Sequence, residues 1–194
     1  MKAIILGFAI VALSITACNN DSSNSKETTK KVNDTTVANN QNATTQTDHT
    51  ASIDEVLNNY LELKNALAND NANNAADAGK KIMEGLQKMD AATLNADQKK
   101  VYDDVKDDMK EHAEHISTNA GKIEHQREHF DVLSKDMYDF VKAMKPSKTL
   151  YLDHCPMYND NKGANWLSEQ KEIKNPYLGK KMPDCGTVKE EIKQ

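Results

Sequence analysis

Four stretches between residues 52 and 144 repeat apolar side chains at intervals of three and four, and that period constrains the fold more than any other feature. The first carries Ile53, Val56, Leu57, Tyr60, Leu61 and Leu67, and the spacing of Ser52 to Glu55 predicts a capping box at its start. A second helix is predicted from about Asn74 to Met89, with Ala75, Ala78, Ile82, Met83, Leu86 and Met89 on one stripe. Gly79 and Gly85 lie inside it. They lower its intrinsic helix propensity and suit close packing against a neighbour. Asn95 or Asp97 can cap a third helix through Val101, Val105, Met109, His112 and Ile116. A fourth carries Ile123, Phe130, Leu133, Met137, Phe140, Val141 and Met144, and ends before Pro146. The expectation is an all-α protein built on a four-helix up-and-down bundle, with an irregular C-terminal segment packed on it in which Thr149-Leu150-Tyr151-Leu152 suits a short strand. The run Ser117-Thr118-Asn119-Ala120-Gly121 is read as the turn between the last two helices, and a continuous helix through Gly121 is the alternative.

The N-terminal part has a different character. Lys2 precedes Ile4 to Ala17, fourteen uncharged and mostly apolar residues. That is short for a bilayer core of about 30 Å and suits a signal peptide. The stretch ends Leu13-Ser14-Ile15-Thr16-Ala17-Cys18, which resembles a bacterial lipobox. Residues 1–17 are therefore read as a lipoprotein signal and Cys18 as the acylated residue of the mature chain. Several acyl chains on one residue give stable membrane anchoring. From Asn19 to Thr50, Asn, Thr, Ser and Gln fill twenty of thirty-two positions and no aromatic residue occurs. Such a segment buries too little apolar surface to offset its ordering entropy, so residues 18–51 are expected to form a disordered tether. The folded domain is expected over residues 52–194.

Charge and motifs exclude several classes. With 25 Lys and Arg against 30 Asp and Glu, the formal charge is −5, so the chain lacks the basic surface a nucleic-acid partner requires. There is no CxxCH, Walker loop or Gly-rich dinucleotide turn, and no Ser, His and Asp grouping with the context of acyl transfer. Nothing suggests turnover of a substrate, and no enzymatic activity is expected.

The candidate chemistry is metal ligation. His112 and His115 are spaced by three residues and His125 and His129 by four, so each pair shares a helix face. A reversal near Asn119 and Gly121 would bring both pairs to one end of a helical hairpin. Imidazole suits zinc, copper, iron or nickel, so the histidines alone do not name the metal. Farther on, His154-Cys155-Pro156-Met157 places nitrogen, thiolate and thioether ligands within four residues, and Met182-Pro183-Asp184-Cys185 repeats the sulfur pairing. Soft sulfur ligands select Cu(I) over hard cations. The alternative is that Cys155 and Cys185 form a disulfide in an oxidising compartment. The expected ligand set is His125, His129, Cys155, Met157, Cys185 and Met182, with His154, His112 and His115 as further candidates. Copper as Cu(I) is the expected metal and zinc the second choice.

The stretch Ile123-Glu124-His125-Gln126-Arg127-Glu128-His129-Phe130 with Leu133-Ser134 resembles an uncharacterised helical domain. So do Cys155-Pro156-Met157, Gly163, Trp166-Leu167-Ser168, Ile173-Lys174-Asn175-Pro176-Tyr177 and Cys185-Gly186. That domain occurs in bacterial lipoproteins and at the end of periplasmic adaptor subunits of copper/silver efflux pumps. The resemblance covers roughly residues 53 to 192. It implies a periplasmic domain connected with copper handling, with heavy-metal efflux components as expected partners, and together with the acylated Cys18 the chain is expected at the outer membrane, facing the periplasm. The chain departs from the adaptors in having only the tether and one domain. From another class comes the alternative of a structural or interaction lipoprotein, with a Cys155–Cys185 disulfide and no metal.

Overall fold

The computed structural model describes residues 41–193, with side chains from residue 51 onward. The expected signal segment, Cys18 and the first part of the expected tether lie outside the described residues.

Helix α1 spans Gln41–Ala68, α2 Ala72–Lys88, α3 Ala96–Thr118 and α4 Ile123–Met144. Consecutive helices pack against one another, which is the up-and-down arrangement the short connections imply. Helix α1 begins eleven residues before Ser52, inside the stretch expected to be tether, so Ser52 is an interior helical residue and not a cap. Asn71 caps α2 by accepting from the Asn74 amide, and Asn95 caps α3 in a full capping box with Gln98. Helix α4 stops at Lys145, which takes a left-handed conformation before Pro146. The periodic residues make the core: Val56, Leu57, Tyr60, Leu67, Ile82, Met109, Ile116, Phe130, Leu133, Met137 and Phe140 are fully buried.

The all-α expectation needs correcting at the C-terminus. Leu150–Cys155 (β1), Ala164–Ser168 (β2) and Thr187–Ile192 (β3) form an antiparallel sheet in the order β2-β1-β3. Cys155 pairs with Ala164 on one side of β1, and His154 pairs with Thr187 on the other. A register shift between Leu152 and Asp153 changes the facing of β1, so that Leu150, Asp153 and Cys155 all point inward. The sheet lies against α4 and α1. Trp166 is fully buried there and meets Tyr177 edge-on, and Tyr177 in turn packs on Phe130 of α4. The C-terminal segment is thus docked on the bundle, though as a small sheet and not as irregular chain. Among the described residues no helix is long and apolar enough to cross a membrane.

Candidate metal centre

The site begins with a turn. Helix α3 ends at Thr118, and the chain reverses through Asn119 to Gly121, where φ is +83° and a side chain would be strained. The helices therefore run antiparallel, and the last turns of α3 face the first turns of α4. His112 and His115 come from one side and His125 and His129 from the other.

The four rings form one cluster. His115 stacks on His129 with ring centres 4.3 Å apart, His125 meets His129 edge-on at 4.6 Å, and His112 lies 5.2 Å from it. His115, His125 and His129 offer nitrogen atoms that all lie within 4.8 Å of one another. Three nitrogens bound to one tetrahedral zinc-sized ion stand about 3.3 Å apart, so the three rings would draw together to share an ion and leave its fourth position open. The site opens to solvent through His115 and His125, whose side chains remain 46% and 42% exposed.

Neighbouring groups orient the rings. His125 Nδ1 is 3.1 Å from Glu128 Oε2, and His129 Nδ1 is 2.9 Å from His112 Nδ1. Each contact engages one ring nitrogen and leaves Nε2 as the second, the arrangement by which partners of metal-binding histidines orient the ring. Between His112 and His129 one ring must donate and the other accept, so a single proton serves the pair. Burial holds both His112 and His129 below the ordinary histidine range, and the neighbouring imidazoles push His129 further down. A neutral ring is the form that ligates.

The expected sulfur ligands Cys155 and Cys185 form a pair of their own. Cys155 closes β1 and is fully buried, whereas Cys185, just before β3, is half-buried. Their Sγ atoms are 3.4 Å apart, and both are free thiols. Met157 is 48% exposed. Met182 follows the short turn Gly179–Lys181 and accepts a backbone hydrogen bond from Cys185. His154 pairs through Nδ1 with Asn165 Oδ1 at 2.8 Å. Among the described residues, neither cysteine nor His154 joins a group of three or more His, Cys, Asp or Glu ligand atoms; only His115, His125 and His129 make one. The structure therefore brings His125 and His129 together with His115 and His112, and separately brings Cys155 to Cys185. Sequence reasoning misses Glu128, although its place three residues after His125 is the signal that could have found it.

Residues 56–149 match the family described as Protein of unknown function (DUF3347). The matched region holds the second half of α1, all of α2 to α4 and the four clustered histidines, and it ends just before β1. No curated protein and no solved structure matches the chain.

Proposed function

We propose that the protein is a lipid-anchored domain of the bacterial cell envelope that holds copper for buffering or delivery beside a heavy-metal efflux system. His115, His125 and His129 are its ligands. One observation carries this reading: nitrogens of three imidazoles from two helices converge within 4.8 Å, and Glu128 and His112 each engage the Nδ1 of one of these rings. Groups with no ligand to hold have little reason to gather in this way, because three histidines that close repel one another on protonation. An all-nitrogen shell accommodates copper or zinc, and the resemblance to copper/silver efflux adaptors selects copper. The domain acts by holding an ion and not by converting a substrate.

The test is a competition titration of the purified protein with anaerobic Cu(I), with Cu(II) and with Zn(II), beside the His125→Ala/His129→Ala double variant. The expected result is one tight site per chain with copper affinity above that for zinc, weakened at least about 100-fold in the double variant. If the wild type binds every ion no tighter than the double variant, the protein is a structural lipoprotein instead.

A further inference from the structure

Outside the histidine centre, the strongest concentration of reactive groups is the pair Cys155 and Cys185. The register that sets His154 opposite Thr187 brings the end of β1 alongside the chain entering β3, and the two sulfurs meet there at 3.4 Å. No further His, Cys, Asp or Glu ligand atom completes a group with them among the described residues. A structural zinc site needs four ligands, whereas a disulfide needs only the two sulfurs at hand.

The backbone around Cys185 is held in place. Its carbonyl accepts from Asn175 Nδ2 at 2.6 Å, and its amide donates to the Met182 carbonyl at 3.3 Å. A Cβ on the next residue, Gly186, would come within 2.9 Å of the Trp166 ring and 3.0 Å of the His154 carbonyl. The pair is asymmetric as well. Cys155 is fully buried and Cys185 reaches solvent, so an incoming reagent meets Cys185 alone. We infer that Cys155 and Cys185 form a thiol–disulfide exchange site, in which Cys185 meets an incoming disulfide and Cys155 resolves it, locking residues 156–184 onto the sheet. This site is independent of the histidine centre.

Exchange proceeds in two balanced steps. Cys185 gives its proton to solvent, and its thiolate attacks one sulfur of the incoming disulfide. A mixed disulfide forms while the incoming S–S bond breaks, and the released thiolate takes up a proton. Cys155 then loses its proton and attacks Cys185 Sγ, forming the Cys155–Cys185 bond and expelling the second thiol. Two electrons pass from the cysteine pair to the incoming disulfide. Burial raises the Cys185 thiol, and Cys155 adds to that rise. The reduced pair is therefore not stabilised as a thiolate, which favours the disulfide as the resting product.

The experiment equilibrates the full chain, with a chelator present, in buffers of reduced and oxidised glutathione. Intact mass, alkylation and peptide mapping are the readouts, the mapping keeping Cys18 apart from the pair. Wild type is expected to pass in one two-electron step to an intramolecular Cys155–Cys185 bond with little glutathione adduct. Cys155→Ser is expected to accumulate the adduct on Cys185, and Cys185→Ser to leave Cys155 at least about tenfold slower to react. Two free thiols in wild type under fully oxidising buffer would overturn the inference, a result that needs no variant to fold. So would a bond between chains, or equal reactivity of Cys155 and Cys185 in the two variants. Failure here leaves the copper titration of the histidine centre unchanged, so the two readings are separable.

Discussion

Arg127 donates from Nε to the Pro176 carbonyl at 2.9 Å, joining the fourth helix to the segment that leads into Cys185. The same guanidinium reaches the Leu67 carbonyl at 3.0 Å and Asp70 Oδ1 at 2.5 Å through Nη2, and Glu124 through Nη1 at 2.8 Å. Its side chain is only 5% exposed, so one residue ties α4, the α1–α2 turn and the C-terminal segment together. A lysine ammonium is a point charge without the planar fork, and it cannot serve both buried carbonyls and the carboxylate in this geometry. Arg127→Lys is expected to cost about 1–3 kcal/mol in urea denaturation and to make residues 175–186 more sensitive to protease. An unchanged midpoint with an unchanged cleavage pattern would show that the fork is not what holds the segment.

The two glycines of α2 are not equivalent. A Cβ at Gly79 would stand 2.8 Å from the Ala113 carbonyl of α3, a backbone atom that moves only if the helix moves. At Gly85 the nearest atom is a Val56 methyl at 3.0 Å, at a side-chain end that has some freedom to shift. Gly79→Ala is expected to destabilise by about 1–3 kcal/mol through overpacking. Gly85→Ala should cost less, since its added methyl also gains helix propensity. Thermal melts of the two variants check the order, and a Gly79→Ala protein as stable as wild type would contradict the close approach.

These glycines show how far local sequence signals reach. Their place on a helix with a plain apolar stripe announces a tight contact, and the Asn95 cap and the stop at Pro146 rest on equally local signals. The histidine cluster is legible for the same reason, since two pairs at helical spacing flank one turn and all four lie within eighteen residues. The sheet is not. Strands of five and six residues carry little periodicity, and β3 exposes most of its Thr187-Val188-Lys189-Glu190-Glu191 side chains, so pairing across long stretches of chain decides it. Nor are Arg127 and Tyr60 legible as polar keystones, because their partners lie 49 and 107 residues away. The expected mixing of sulfur and imidazole ligands rests on ligand type, which does not tell which of these groups share one cluster.

Tyr60 is one of those keystones. It is fully buried on α1, shares a hydrogen bond with Ser134 Oγ of α4 at 2.8 Å, and accepts from the Leu167 amide of β2 at 3.1 Å. Tyr60→Phe keeps the ring that stacks on Phe130 and removes only the oxygen. The Leu167 amide is then left without its acceptor in the core, and about 1–3 kcal/mol of stability is expected to go with it. Hydrogen exchange at Leu167 should accelerate by more than the global loss of stability alone predicts. Uniform acceleration across the chain would place the cost elsewhere.

Within the candidate metal centre the four histidines are not interchangeable. His129 touches the other three rings, whereas His112 meets the cluster only through its contact with His129. Removing His129 takes away a proposed ligand and the centre of the group, so His129→Ala is expected to weaken copper binding more than about 100-fold. His112→Ala leaves three nitrogens and loses one orienting contact, with an expected cost of about tenfold. Competition titrations rank the two variants. Equal losses would make His112 a ligand in its own right.

Asp153 supplies the clearest dependence on pH. It is fully buried on β1, and neither of its carboxylate oxygens has a hydrogen-bond partner. Burial pushes its carboxyl up to about 7 from an ordinary 3.8, with the charge of Lys64 drawing it partly back. The folded chain therefore keeps a proton that the unfolded chain releases. This contribution to stability is present in full below about pH 3.8 and is lost as pH rises through about 7. Asp153→Asn holds the neutral form at every pH, so its advantage over wild type should grow between pH 4 and pH 8 and reach about 1–3 kcal/mol. Urea titrations across that range measure the difference directly. A gap between variant and wild type that stays constant with pH would mean that Asp153 carries the same charge in the folded and unfolded chain.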